Sequence, residues 1–272
     1  MKWTVFFISD GTGITAETLG HSLLSQFEQV EFEQITLPYV DTEAKAHETI
    51  AQINAVAQQS GQKPLVFATL VNPTIRHVIQ TCDGVLMDFF NTFIGQLEEA
   101  MQLKSSHHVG RTHGMLNYEK YKSRIDAVNY ALATDDGMNI KNFDKADIIL
   151  IGVSRCGKTP TCLYLALQFG IYPANYPFTE DDMDKMLLPN FLAIHREKLI
   201  GLTIDPKRLQ SIRWERRPDS TYASHSQCQK EISKMEILFK QEKIPFLDAT
   251  MHSIEELATS ILATTGLKRR LF

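Results

Sequence analysis

Cysteine is scarce in this 272-residue chain. Its four cysteines, Cys82, Cys156, Cys162 and Cys228, form no CxxC pair and have no metal-finger spacing. That argues against a cysteine-ligated zinc module and against a disulfide-stapled secreted domain. Long hydrophobic runs are missing too. The first apolar run, in MKWTVFFISDGTG, is too short for a secretory core or a membrane span, and it ends in turn residues. The expectation is a cytoplasmic protein with reduced thiols and no membrane partner. Charge of one sign is not in excess. The net charge of −4 points to neither nucleic acid nor an anionic membrane. No stretch is of low complexity.

What remains is ordinary globular material. Hydrophobic residues make up 43% and charged residues 22%, enough for one large domain or two smaller ones. Strands and helices alternate along the chain. Trp3 to Ile8, Phe32 to Leu37, Pro64 to Val71 and Val85 to Phe89 read as strands. Helices are expected from Thr15, with Leu19, Leu23, Leu24 and Phe27 on one side, from Thr42 to about Gln59, and from Pro73. The fold class predicted is α/β, in two α/β units with parallel sheets. Residues 1–103 form the N-terminal α/β domain. Residues 104–143 form a partly helical connector, with a helix over Tyr118 to Ala133. Residues 144–272 form a P-loop nucleotide-binding phosphotransferase domain. In it, Asp147 to Val153, Tyr172 to Tyr176, Lys198 to Ile204 and Pro245 to Asp248 are strands. Tyr222 to Gln241 and Ser253 to Thr264 are helices, the latter opened by the Ser253–Glu256 capping box.

Gly152 to Thr159, GVSRCGKT, satisfies G-x-x-x-x-G-K-[ST] in full. Each position has a physical reason. Gly152 and Gly157 let the backbone curl so that N–H groups point at phosphate oxygens. The following helix presents its positive end to the same anion. Lys158 supplies a cation for the outer phosphates, and the Thr159 hydroxyl is placed to ligate Mg²⁺. Val153, Ser154, Arg155 and Cys156 complete the loop. Arg155 is either a phosphate or substrate contact or a surface side chain. Cys156 is a small loop residue or a thiol activated at a helix N-terminus.

Such a loop needs an acid at the end of a neighbouring strand to help hold Mg²⁺. Asp205, after LIGLTI, has that form, and so is a candidate catalytic and metal residue. The competing role is a turn or helix-capping aspartate before Pro206. Asp135, Asp136, Asp181, Asp182 and Asp184 read more simply as solvated turns. Lys207 to Arg217, KRLQSIRWERR, carries five basic groups. It either binds phosphate or an acidic surface or is a solvated helix face. Gly11-Thr12-Gly13-Ile14-Thr15-Ala16 has a dinucleotide-like pattern, but no acid closes the second strand to hold a ribose. A tight turn, or a substrate site using Ser9 and Asp10, fits better. His113, in Arg111-Thr112-His113-Gly114, is a candidate acid/base group. His107, His108 and His113 have no metal-site spacing.

Together, GVSRCGKTPTCLYLALQFGIYPANYPF, ISDGTGITAETLGHSLLSQF, RTHG and GLTIDPKRL resemble the bacterial phosphoenolpyruvate synthase regulatory proteins. That family also includes the pyruvate, phosphate dikinase regulatory proteins. The resemblance runs from Phe7 to the C-terminal LKRRLF, and the CGKT form looks like the synthase branch. It implies a bifunctional enzyme with phosphoenolpyruvate synthase as its protein partner. One activity is an ADP-dependent serine/threonine kinase that inactivates the target on a threonine. The other is a phosphate-dependent phosphorylase that restores it and releases pyrophosphate. Gly152 to Thr159 would then bind ADP, with inorganic phosphate as co-substrate of the return reaction. The kinase signatures HRD and DFG are absent, so such activity must run on the P-loop scaffold. Alternatives are a P-loop kinase of a small metabolite and a non-catalytic nucleotide-sensing module. A homodimer suits a two-domain regulator, and the oligomeric state stays open.

Overall fold

The computed structural model describes residues 2–106 and 118–271. The chain divides between Leu116 and Asn117 into two compact units. The first contains β1 (Lys2–Ser9), α1 (Ile14–Leu24), β2 (Glu31–Leu37), α2 (Glu43–Ser60), β3 (Leu65–Thr69), α3 (Pro73–Ile79), β4 (Val85–Asp88) and α4 (Phe89–Met101). Its strands lie in the order β2-β1-β3-β4, every neighbouring pair parallel. Side chains alternate between faces along each strand. Phe6, Ile8, Val66 and Ala68 meet Ala46 and Ile53 of α2 and Ile75 and Ile79 of α3. Val5, Phe7 and Phe67 point the other way, toward Ala16 and Leu24 of α1. Burial on both faces explains the unbroken apolar runs.

Two expectations need correction in this unit. Of the four residues expected on one side of the first helix, Leu24 is buried, while Leu19, Leu23 and Phe27 are 42%, 49% and 60% exposed. The helix instead turns Ala16 and Gly20 to the sheet, where Phe7 and Phe67 fill the gap. A Cβ on Gly20 would lie 2.4 Å from the Phe7 ring. The second correction is α4, which the sequence pattern did not mark. It follows β4 directly because Asp88 caps it, Oδ1 accepting from the Asn91 N–H at 3.0 Å.

The second unit contains α5 (Tyr118–Ala133), β5 (Ile148–Gly152), α6 (Lys158–Phe169), β6 (Pro173–Pro177), α7 (Glu180–Lys185), α8 (Asn190–Ala193), β7 (Leu199–Thr203), α9 (Pro206–Arg216), α10 (His225–Gln241), β8 (Phe246–Asp248) and α11 (Ile254–Thr265). Its sheet, β6-β5-β7-β8, is again all parallel. The helix expected over Tyr118 to Ala133 is α5. Ala127 and Ala131 seat it on Ala166 of α6, and Tyr130 stacks on Tyr172. The helix expected from Tyr222 begins later, at His225. Ser220 and Ser224 each cap a separate turn, so a short 3₁₀ segment stands in front.

Counted from its own first strand, each sheet has the order 2-1-3-4. From the first strand the chain passes to one edge and then crosses back to build toward the other, which puts a topological switch point beside the first strand, where α/β sheets place their binding crevice. Among the described residues no helix is long and apolar enough to cross a membrane.

Candidate active site

The loop Gly152–Thr159 leaves β5 at the switch point between β6 and β7. Every residue of β5 is buried, so the loop springs from a fixed base. A Cβ on Gly152 would sit 2.4 Å from the Leu202 carbonyl oxygen of β7, and its φ is 153°. Glycine is therefore required where the two strands meet. Arg155 is held at φ 75° and Gly157 at φ 94°, which curls the loop before α6 begins. For a non-glycine residue such as Arg155, that backbone costs on the order of 1–2 kcal/mol.

Lys158 is only 4% exposed. Its Nζ donates to the Val153 carbonyl at 2.7 Å, across the loop it belongs to. Cys156 is buried, with its Sγ 3.9 Å from Lys158 Nζ. It fills the loop's interior, which leaves no accessible thiol there.

Thr159 Oγ1 donates to Asp135 Oδ1 at 2.8 Å. Asp135 belongs to a 3₁₀ turn, Asp135–Gly137, that Asn175 of β6 clamps from beneath. Asn175 is fully buried, its Nδ2 donating to Asp135 Oδ1 at 2.6 Å and its Oδ1 accepting from the Asp136 N–H at 3.0 Å. Asp136 takes φ 48° in that turn. It lines the same cleft, of about 230 Å³, as Ser154, Arg155, Lys158, Thr159 and Ile212.

Asp205 is placed differently. It is the N-cap of α9, and its Oδ1 accepts from the N–H groups of Lys207 and Arg208 at 2.9 and 3.0 Å. Its own N–H donates to Thr250 Oγ1. This is the capping role weighed from the sequence, and the carboxylate touching Thr159 is Asp135. His113, with Arg111, Thr112, Gly114, His107 and His108, lies outside the described residues.

Sequence reasoning also missed Arg213. It sits in a basic run that reads either as a phosphate or acidic-surface contact or as a solvated face, yet it is fully buried behind the loop. Its Nη2 donates to the Ser154 carbonyl at 3.1 Å and to Glu231 Oε2 at 2.6 Å. Its guanidinium lies 4.0 Å over the Tyr222 ring, and the Tyr222 hydroxyl donates to Ser154 Oγ at 3.1 Å. Burial opposes the Arg213 charge, but the hydrogen bond and charge of Glu231 outweigh it, and the group is held above its ordinary pKa. The outer half of the loop is thus pinned from behind by a buried ion pair. The available signal was Glu231, an acid at a buried position of α10.

In the first unit the Ser9-Asp10-Gly11 turn also bonds inward. Asp10 Oδ2 accepts from the N–H groups of Val71 and Asn72 at 2.6 and 2.9 Å, and Gly11 N–H donates to Ser9 Oγ. These bonds tie the end of β1 to the segment after β3.

A parallel α/β unit with a strand–glycine loop–helix crossover and a buried lysine has the architecture of a phosphotransferase. The chain belongs to the kinase/pyrophosphorylase family, whose model matches residues 5–262. It is 54% identical over 269 residues to a protein of Marinobacter nauticus, covering 99% of each chain. It is 53% identical over 271 residues to one of Legionella pneumophila strain Lens, covering both in full. A Pseudomonas putida protein is 52% identical over 270 residues, again covering 99% of each. All three carry the provisional name phosphoenolpyruvate synthase regulatory protein.

Proposed function

We propose that the protein phosphorylates phosphoenolpyruvate synthase on a threonine with ADP as donor, and reverses this with orthophosphate. The observation that carries the reading is the cleft over Lys158 and Thr159, with Asp135 bonded to the Thr159 hydroxyl. The full-length likeness to proteins named as regulators of that synthase supplies the target. ADP rather than ATP rests on the family resemblance of the loop.

The chemistry fits the residues present. In the forward direction the threonine oxygen attacks the β-phosphorus of ADP, the bond to the bridging oxygen breaks, and AMP leaves. In the return direction an oxygen of orthophosphate attacks the phosphothreonine phosphorus. Pyrophosphate forms, and the threonine oxygen regains a proton. Loop N–H groups and Lys158 stabilise the transferring group in both directions. Asp136, exposed and on the cleft wall, accepts the threonine proton in the forward direction, and in the return direction it passes the proton of the attacking orthophosphate to the threonine oxygen.

Mg²⁺ would be held by Thr159 and Asp135, both hard oxygen donors. Among the described residues no cluster of three His, Cys, Asp or Glu could hold a metal unaided. That suits Mg²⁺, which binds through one or two protein oxygens plus substrate phosphates and water. When bound it would neutralise charge on the phosphates being transferred.

The test incubates the purified protein with phosphoenolpyruvate synthase and either ADP or ATP, then maps phosphothreonine by mass spectrometry. New phosphothreonine is expected with ADP. Modification with ATP and none with ADP would overturn the donor assignment, and none with either would overturn the function.

A further inference from the structure

Beside the cleft over Lys158 lies a second hollow. It measures about 260 Å³ and is lined by Ser154, Arg155, Arg216, Arg217 and Tyr222. Ser154 and Arg155 also line the first cleft, so the two spaces share a wall. No carboxylate lines the second one. Arg196, Arg213 and Arg270 form ion pairs. Among the described residues, no carboxylate pairs with Arg155, Arg216 or Arg217.

The fold places the backbones of all three arginines at the rim of this hollow, and their side chains are exposed. Arg155 rides on the loop at a backbone angle that favours glycine. Arg216 is the last residue of α9 and Arg217 its C-cap. Buried Arg213, one turn earlier, fastens that helix end to the Ser154 carbonyl. Three like charges converging on one hollow repel each other, and an oxyanion between them relieves that repulsion. Guanidinium forks match phosphate oxygens in geometry, and each such bond is charge-assisted. The hydroxyls of Ser154 and Tyr222, 3.1 Å apart, add a neutral donor on the same wall.

We propose that this hollow is a second oxyanion site, taking a tetrahedral phosphoryl dianion that is not the nucleotide's. The assignment rests on the phosphotransfer reading, in which the nucleotide phosphates occupy the cleft at Lys158. Two sources share the chemistry: free orthophosphate, and a phosphoryl group carried by the protein acceptor.

The first test is calorimetric titration of orthophosphate into the full chain saturated with ADP and Mg²⁺. One site is expected. In R216A/R217A the affinity for orthophosphate falls at least about tenfold while the ADP affinity stays within about twofold. R216K/R217K keeps the charge and loses the forks, so it falls between the two. A wild type that binds no orthophosphate when saturated with ADP, or an alanine variant that binds it equally, overturns the proposal. Kinetics then separate the sources. A KM raised for orthophosphate alone assigns free phosphate. A KM raised for the synthase in both directions assigns the acceptor's group. Both KM values unchanged overturn the proposal. A wild type that transfers nothing to the synthase sinks the functional reading, and the titration still decides the hollow.

Discussion

Thr159 Oγ1 and Asp135 Oδ1 are hydrogen-bonded at 2.8 Å, across 24 residues of sequence. The loop hydroxyl therefore faces a carboxylate from the turn before β5, while Asp205 faces the start of α9. Two substitutions separate the roles. Asp135→Asn removes the charge opposite Thr159, and phosphoryl transfer is expected to fall by about 100-fold or more. Asp205→Asn keeps an equally good cap, so stability changes by less than about 0.5 kcal/mol and most transfer survives. Initial rates with ADP and the synthase, beside thermal melts, make the comparison. The opposite ranking would assign the acid partner to Asp205.

The loop is legible in the sequence because its chemistry is local, held in eight consecutive residues between an apolar strand and a helix. The α/β alternation is legible for the same reason. Asp135 is not, because its position depends on Asn175, and Asn175 reaches it only through the pairing of β6 with β5. Strand order is a property of the sheet. Asp205 satisfies the same strand-then-acid pattern that Mg²⁺ ligands satisfy, and only the hydrogen bonds to Lys207 and Arg208 distinguish a cap. Arg213 is hidden by its company. Four of the five basic groups from Lys207 to Arg217 are not buried, and the fifth is completely so.

Lys158 tests whether one site serves both directions. Its ammonium is buried and already within the loop, 2.7 Å from the Val153 carbonyl. If the same cation stabilises the transferring group each way, Lys158→Ala lowers both activities by at least about 100-fold. Phosphothreonine formation with ADP and pyrophosphate release with orthophosphate are measured on one preparation. Loss of the first with survival of the second would separate the sites.

The Arg213–Glu231 pair tests what holds the loop's outer half. Arg213 is fully buried, and Glu231 lies 2.6 Å away. Glu231→Ala leaves a buried charge without its partner and is expected to destabilise the second unit by about 3 kcal/mol. Replacing both, as in R213M/E231L, costs much less, because no charge is stranded. Trp214 on α9 reports the transition by fluorescence in denaturant, with Trp3→Phe silencing the other of the two tryptophans. Equal losses in the single and double variants would show that a stranded charge is not what destabilises Glu231→Ala.

Asp88 predicts a pH dependence confined to the first unit. Burial pushes its carboxyl above the ordinary value, and the backbone bonds at the start of α4 and the charge of Arg76 only partly pull it back. Its Oδ2 is buried with no hydrogen-bond partner among the described residues. An acid whose folded pKa is raised stabilises fully below its unfolded value, about 3.9, and loses that contribution as pH rises through the folded value. At pH 7 the charged form is therefore a burden. Asp88→Asn removes the charge, keeps a good cap, and does not titrate. The variant is expected to be the more stable at pH 7, with its advantage shrinking as pH falls and gone below about pH 4. Melts followed by Trp3 fluorescence in a Trp214→Phe background resolve the two curves. An advantage that did not change with pH would mean that the gain came from packing, because only a titrating carboxylate can make it close at low pH.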